Sequence, residues 1–152
     1  MRTEISDDLK AAMKSGDKRR VSTLRLILAA IKERDIAARA EDRCQGVSDD
    51  EILQILTKMV KQRKESAQTY EEAGRADLAL QENEESKIVE SYLPRQLGAD
   101  EVRGACNDIV GEIGASGLKD MGKCMGELKT RYAGQMDFSL ASKFVKELLT
   151  QA

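Results

Sequence analysis

The sequence predicts an all-α protein in two parts, a four-helix antiparallel N-terminal domain joined at a proline linker to a small three-helix bundle. Three observations carry this. Apolar residues recur at steps of three and four along the chain, with no stretch of strand-like alternation. Ala, Leu, Glu, Lys, Arg and Met abound, while aromatic residues make up only 3% and proline occurs once. Glycines and N-capping residues cut the periodic pattern into helix-length pieces.

The first helix is expected from about Thr3 to Lys14, amphipathic through Ile5, Leu9 and Met13, and stopped by Ser15-Gly16. Asp17 can cap a second helix from Lys18 to about Arg43, with a stripe of Val21, Leu24, Leu28 and Ile31, and Ile27 alongside. Gln45-Gly46-Val47 reads as a turn. Ser48 and Glu51 have the spacing of a capping box, so a third helix starts at about Asp49 and runs to Ala73. Its seam is Ile52, Leu56, Met59, Arg63, Ser66 and Tyr70. Gly74 suits the left-handed position after a helix. A fourth helix, from about Arg75 to Tyr92, places Leu78, Gln81, Glu85, Ile88 and Tyr92 on one side. If helices three and four fold back at Gly74, Arg63 faces Glu85 inside the hairpin seam.

The residue before a proline avoids helical backbone, so Leu93 closes this domain. The expected division is residues 1–93, a linker over 94–98, and residues 99–152. The fifth helix covers about Asp100 to Ile113, with Val102, Cys106, Ile109 and Ile113 inward. The sixth covers about Lys119 to Tyr132, with Met121, Met125, Leu128 and Tyr132 inward. After a loop at Ala133-Gly134-Gln135-Met136, Asp137 can cap a seventh helix over about Phe138 to Thr150, packed through Leu140, Phe144 and Leu148.

Composition narrows the function. The net charge is −2 and the sequence pI about 5.4, which excludes a strongly basic nucleic-acid binder for the chain as a whole but leaves room for a local cationic face. Histidine is absent, removing the commonest general base and transition-metal ligand. Cys44, Cys106 and Cys124 have neither zinc-site nor disulfide-framework spacing and read as buried or idle thiols. No metal site and no cofactor are expected. There is no apolar N-terminal h-region and no membrane-length apolar run, so the chain reads as cytoplasmic with no membrane partner. No nucleophile, phosphate loop or metal motif is visible. Glu82, Glu84 and Glu85 could do acid–base work, but helical spacing spreads them over different faces, so no catalytic residue is assigned.

Two sites remain. Arg63 and Glu85, with Arg25 and Tyr70 brought near by folding helix two on helix three, form either a register lock or a polar pocket open to a partner. On the outer face of the small bundle, Lys119 and Lys123 lie opposite the apolar face of helix six with Gly122 and Gly126 between. Lys129 and Arg131 stand near that helix's end, and Lys143 and Lys146 point outward from helix seven. Lysines beside glycines allow a phosphate backbone close approach, so this face is the candidate nucleic-acid surface.

Three stretches together resemble the GatB/YqeY family: Leu24-Arg25, the run from Lys61 with KQRKES, AGRADLA and SYLPRQL, and MGKCMGELKTRYAGQMD. The chain is most similar to the stand-alone YqeY-like branch. The resemblance implies an all-helical protein whose C-terminal part is similar to the tail domain of the GatB component of the aspartyl/glutamyl-tRNA amidotransferase. That tail engages tRNA, while other domains transfer the amide. Met121, Gly122, Lys123, Met125, Tyr132 and Gly134 match the tail motif, and Lys123 is then the phosphate contact. Phe138 after Asp137, and Ala99 at a place where Ser often caps, depart from the family pattern. The expectation is a non-catalytic module that binds tRNA or a protein of tRNA-dependent amidation or translation. Alternatives are an adaptor docking through the N-terminal hairpin, or a carbon–nitrogen ligase using glutamine as amido donor, the last by family relation only.

Overall fold

A computed structural model describes residues 1–43 and 46–150. Among the described residues it is all helical, with seven α-helices, one 3-10 turn and no strand. The contacts divide the chain into two compact units, Met1–Pro94 and Arg95–Ala152.

The first unit holds α1 (Arg2–Ser15), α2 (Lys18–Ala40), α3 (Asp49–Glu72) and α4 (Ala76–Glu90). α1 packs along α2 and α3 along α4, while α2 meets α4 more than α3. Ile5, Leu24, Ile27, Ile31, Ile52, Leu56 and Val89 form the centre of the core and are essentially water-free. Each such side chain contributes about 1.5–3 kcal/mol by leaving water. The α1 stripe stops at Ala12, because Met13 is 53% exposed. Ala79 and Ser86, rather than Leu78 and Gln81, lie innermost on α4 with Glu85 and Val89.

The helix ends follow local chemistry. Asp17 accepts the Arg20 N–H at the start of α2. Ser48 accepts the Glu51 N–H while Glu51 accepts the Ser48 N–H, a complete capping box. α3 ends at Gly74 (φ 74°), whose N–H reaches the Glu71 carbonyl while Arg75 N–H reaches Tyr70 at 2.8 Å. α2 ends three residues before the expected Arg43. Asp42 takes the left-handed position (φ 62°), and the Asp42 and Arg43 N–H groups bond back to the Arg39 and Ala38 carbonyls. This is the same paired C-terminal closure, formed without glycine. Of the predicted turn, Gln45 lies outside the described residues, as does Cys44. Gly46 (φ 83°) is held against α2: a Cβ there would sit 2.6 Å from Asp35 Oδ1.

The second unit holds α5 (Ala99–Ile113), the 3-10 turn Leu118–Asp120, α6 (Met121–Arg131) and α7 (Phe138–Thr150). Its core is built from Val102, Cys106, Ile109, Cys124, Leu128, Met136, Ala141 and Val145. Lys119 therefore lies in a tighter turn before α6, where the Asp120 carboxylate accepts the Ser116 N–H at 3.1 Å. Met136, expected in a loop, is 1% exposed and belongs to the core. The segment after Pro94 is not a free tether. Gln96 donates to the Gly134 carbonyl, Leu97 N–H to the Gln135 carbonyl at 2.8 Å, and Leu97 packs on the core of this unit.

Candidate nucleic-acid interface and the polar seam

The polar seam of the N-terminal unit comes from helix periodicity. Arg63 and Glu85 lie on the facing sides of α3 and α4, with Arg63 Nε 3.4 Å from Glu85 Oε2 and side chains only 14% and 12% exposed. The charges neutralise each other, but the Nε–H finds no hydrogen-bond acceptor. Arg63 Nη1 instead reaches the Met59 carbonyl and Gln81 donates to Glu85, both at 3.4 Å. Burial and the Glu85 charge raise the pKa of Glu82, with Arg63 opposing. The third carboxylate, Glu84, points elsewhere and pairs with Arg19 at 2.7 Å. Glu82 and Glu85 thus share the neighbourhood of Arg63, while Glu84 stands apart from them.

Arg25 and Tyr70 line separate depressions. Tyr70 borders one of about 350 Å³ with Gln62, Glu65, Ser66 and Thr69, whereas Arg25 borders one of about 430 Å³ with Met13, Gly16, Lys18, Val21 and Ser22. The physical reason is that α2 leans on α4, so its outer side carries Arg25 to solvent. Sequence reasoning also missed two polar ties. Arg2 donates twice to Asp35 at 2.6 Å and once to the Val47 carbonyl at 2.9 Å. Asp35 accepts the Val47 N–H as well, and the Arg2 bonds hold its pKa down at about 2. The Tyr92 hydroxyl donates to Asp8. Arg2, Asp35 and Asp8 lie off the apolar stripes, so periodicity gave no signal for either tie, although it placed Tyr92 against the core.

In the C-terminal unit, the cations sort into two kinds. Arg131 pairs with Glu112 and Glu127, both at 2.7 Å, so its guanidinium is already engaged. Lys119, Lys123, Lys129, Lys143 and Lys146 are all exposed. Among the described residues no carboxylate pairs with any of these five, whose ammonium groups stand in water. Gly122 and Gly126 are exposed too, and a Cβ at either would meet nothing within 4 Å. The two glycines therefore serve no packing inside the unit. The thiols of Cys106 and Cys124 are sealed in the core, and burial pushes Cys106 up to about 11. Among the described residues no group of His, Cys, Asp and Glu could hold a metal ion, and no helix is long and apolar enough to cross a membrane.

The model of the YqeY-like protein family matches residues 2–149. The chain belongs to the YqeY-like family. Relatives named altered inheritance of mitochondria protein 41, mitochondrial, are similar to it. In Clavispora lusitaniae the identity is 35% over 91 residues, 60% of this chain and 50% of the relative. In Vanderwaltozyma polyspora it is 30% over 126 residues, covering 77% and 64%. In Meyerozyma guilliermondii it is 30% over 139 residues, covering 88% and 70%. The chain thus spans about half to seven-tenths of the length of these relatives. Their names overturn the cytoplasmic expectation, which rested on a missing secretory h-region. That feature reports on secretion and carries no information about mitochondria.

Proposed function

We propose that this YqeY-like chain is a non-catalytic helical module that binds tRNA through the outer face of its C-terminal unit. The carrying observation is the set of five exposed lysines that no carboxylate pairs with among the described residues, with Lys123 and Lys129 on the same helix as Gly122 and Gly126, whose surroundings are open. Lysines act on phosphates as hydrated point charges, and the absence of Cβ atoms at Gly122 and Gly126 lets a sugar–phosphate chain approach the α6 backbone. The resemblance of MGKCMGELKTRYAGQMD to the tRNA-engaging tail of the GatB component of the amidotransferase supports the same face. Arg131 is not part of this reading, since the carboxylates of Glu112 and Glu127 already offset its charge. The partly buried Glu82 and Glu85 beside Arg63 act in the reading as structural groups.

The test is a gel-shift titration of the full chain with tRNA at low salt. The expected result is a shift that the combined substitution K119E, K123E, K143E and K146E abolishes while the helical circular dichroism stays intact. Unshifted tRNA at the lowest salt overturns the proposal.

A further inference from the structure

A second surface is marked by charge and exposure on α2. That helix carries seven basic and two acidic side chains, in a chain whose net charge is −2. Arg19 and Arg20 are occupied by Glu84 and Asp8, at 2.7 and 3.8 Å. Lys18, Arg25 and Lys32 are exposed, and among the described residues no carboxylate pairs with them. At about 100° per residue they share one outward row with Ser22, Ala29 and Ile36. Ile36 is 57% exposed, and Leu26, beside the row, is 49% exposed. Where the row begins, the depression of about 430 Å³ exposes Met13 against Val21, between Lys18 and Arg25. Glu33 is the exposed acid on this side. The inner side of α2 already buries Leu24, Ile27 and Ile31, so the outer aliphatic groups are surplus to the core. This two-sidedness explains why α2 lacks a single dominant apolar face.

We propose that the outward row of α2, from the Met13–Val21 depression to Ile36, docks an acidic amphipathic helix of a partner protein. Charge complementarity selects the occupant. Carboxylates of the incoming helix meet Lys18, Arg25 and Lys32, while its apolar residues seat on Met13, Leu26 and Ile36. The row runs about 27 Å, the length of a helix of about 18 residues. A nucleic acid would find the same cations, but α2 carries no aromatic side chain for a base to stack on, and phosphates would cover exposed aliphatic groups.

The test uses the isotope-labelled full chain and a probe peptide of about 18 residues with leucine on one helical face and glutamate on its flanks. The expected result is chemical-shift changes centred on Met13, Leu26 and Ile36. Binding should be about tenfold tighter than for a scrambled isomer of the same composition. L26S with I36S should lower affinity about tenfold, and K18E with R25E and K32E should abolish binding, while both variants keep the helical circular dichroism of the parent. Equal binding of the scrambled isomer overturns the proposal. So does the absence of peptide binding, or perturbation of these residues by phosphatidylserine vesicles, tRNA or self-association instead of the peptide.

Discussion

Arg63 and Glu85 meet inside the α3–α4 hairpin because two 3.6-residue patterns, folded at Gly74, bring positions 63 and 85 opposite each other. The pair is nearly closed to water, so removing one partner leaves a charge that the core cannot solvate. Glu85→Ala should cost about 3 kcal/mol, the lower end for breaking a buried pair, because Glu82 nearby can partly neutralise Arg63. A urea midpoint unchanged within the scatter of surface variants would remove the pair from the account. Asp35 makes a different demand. Its folded pKa of about 2 lies below the ordinary 3.8, so the unfolded chain binds the proton first. Its stabilising contribution is therefore full above about pH 4 and is lost as pH falls through about 2. Stability curves of the parent and Asp35→Asn should differ at neutral pH and converge between pH 4 and 2. A gap at pH 2 as large as that at neutral pH contradicts the Arg2–Asp35–Val47 tie. Arg63–Glu85 was legible because both residues interrupt apolar stripes. Arg2–Asp35 was not, because it joins two polar faces whose meeting depends on how α1 lies along α2.

At the scale of the element, α6 is the informative helix. Interior glycines at exposed helix positions cost about 1 kcal/mol each relative to alanine. Gly122 and Gly126 have no packing inside the unit to offset that cost. Gly122→Ala with Gly126→Ala should therefore raise the melting temperature while weakening tRNA binding. A double variant that is more stable and binds tRNA as well as the parent would show that the open backbone has no part in recognition. Helix boundaries were readable wherever a side chain or glycine announces them, as at Ser48, Gly74 and Asp137. They slipped where closure comes from the backbone alone. Asp42 ends α2 in a conformation that glycine usually supplies, and the 3-10 turn before α6 keeps Lys119 out of the α-helix. Of the inward stripe expected for α7, Phe144 is buried in the core, whereas Leu140 and Leu148 flank it and their following neighbours Ala141 and Leu149, with Val145, fill it. Leucine on both sides of that boundary leaves periodicity undecided by about one residue.

For the whole molecule, periodicity and composition suffice for the all-α class, and the motif runs suffice for the YqeY-like family. The cytoplasmic expectation is overturned, because an apolar h-region reports on secretion alone and the relatives are named as mitochondrial proteins. Charge distribution is the property that total charge hides. A chain of net −2 presents one unpaired lysine group around α6 and α7 and another cationic row on α2. The central claim concerns the first group, and the salt dependence of tRNA affinity tests it most directly. With the full chain, log K should fall linearly with log salt. A milder variant, Lys119→Gln with Lys123→Gln, should still bind and show a slope shallower by about 0.7–0.9 for each of the two lysines that meets a phosphate. Equal slopes for parent and variant, or an affinity indifferent to salt, would contradict it.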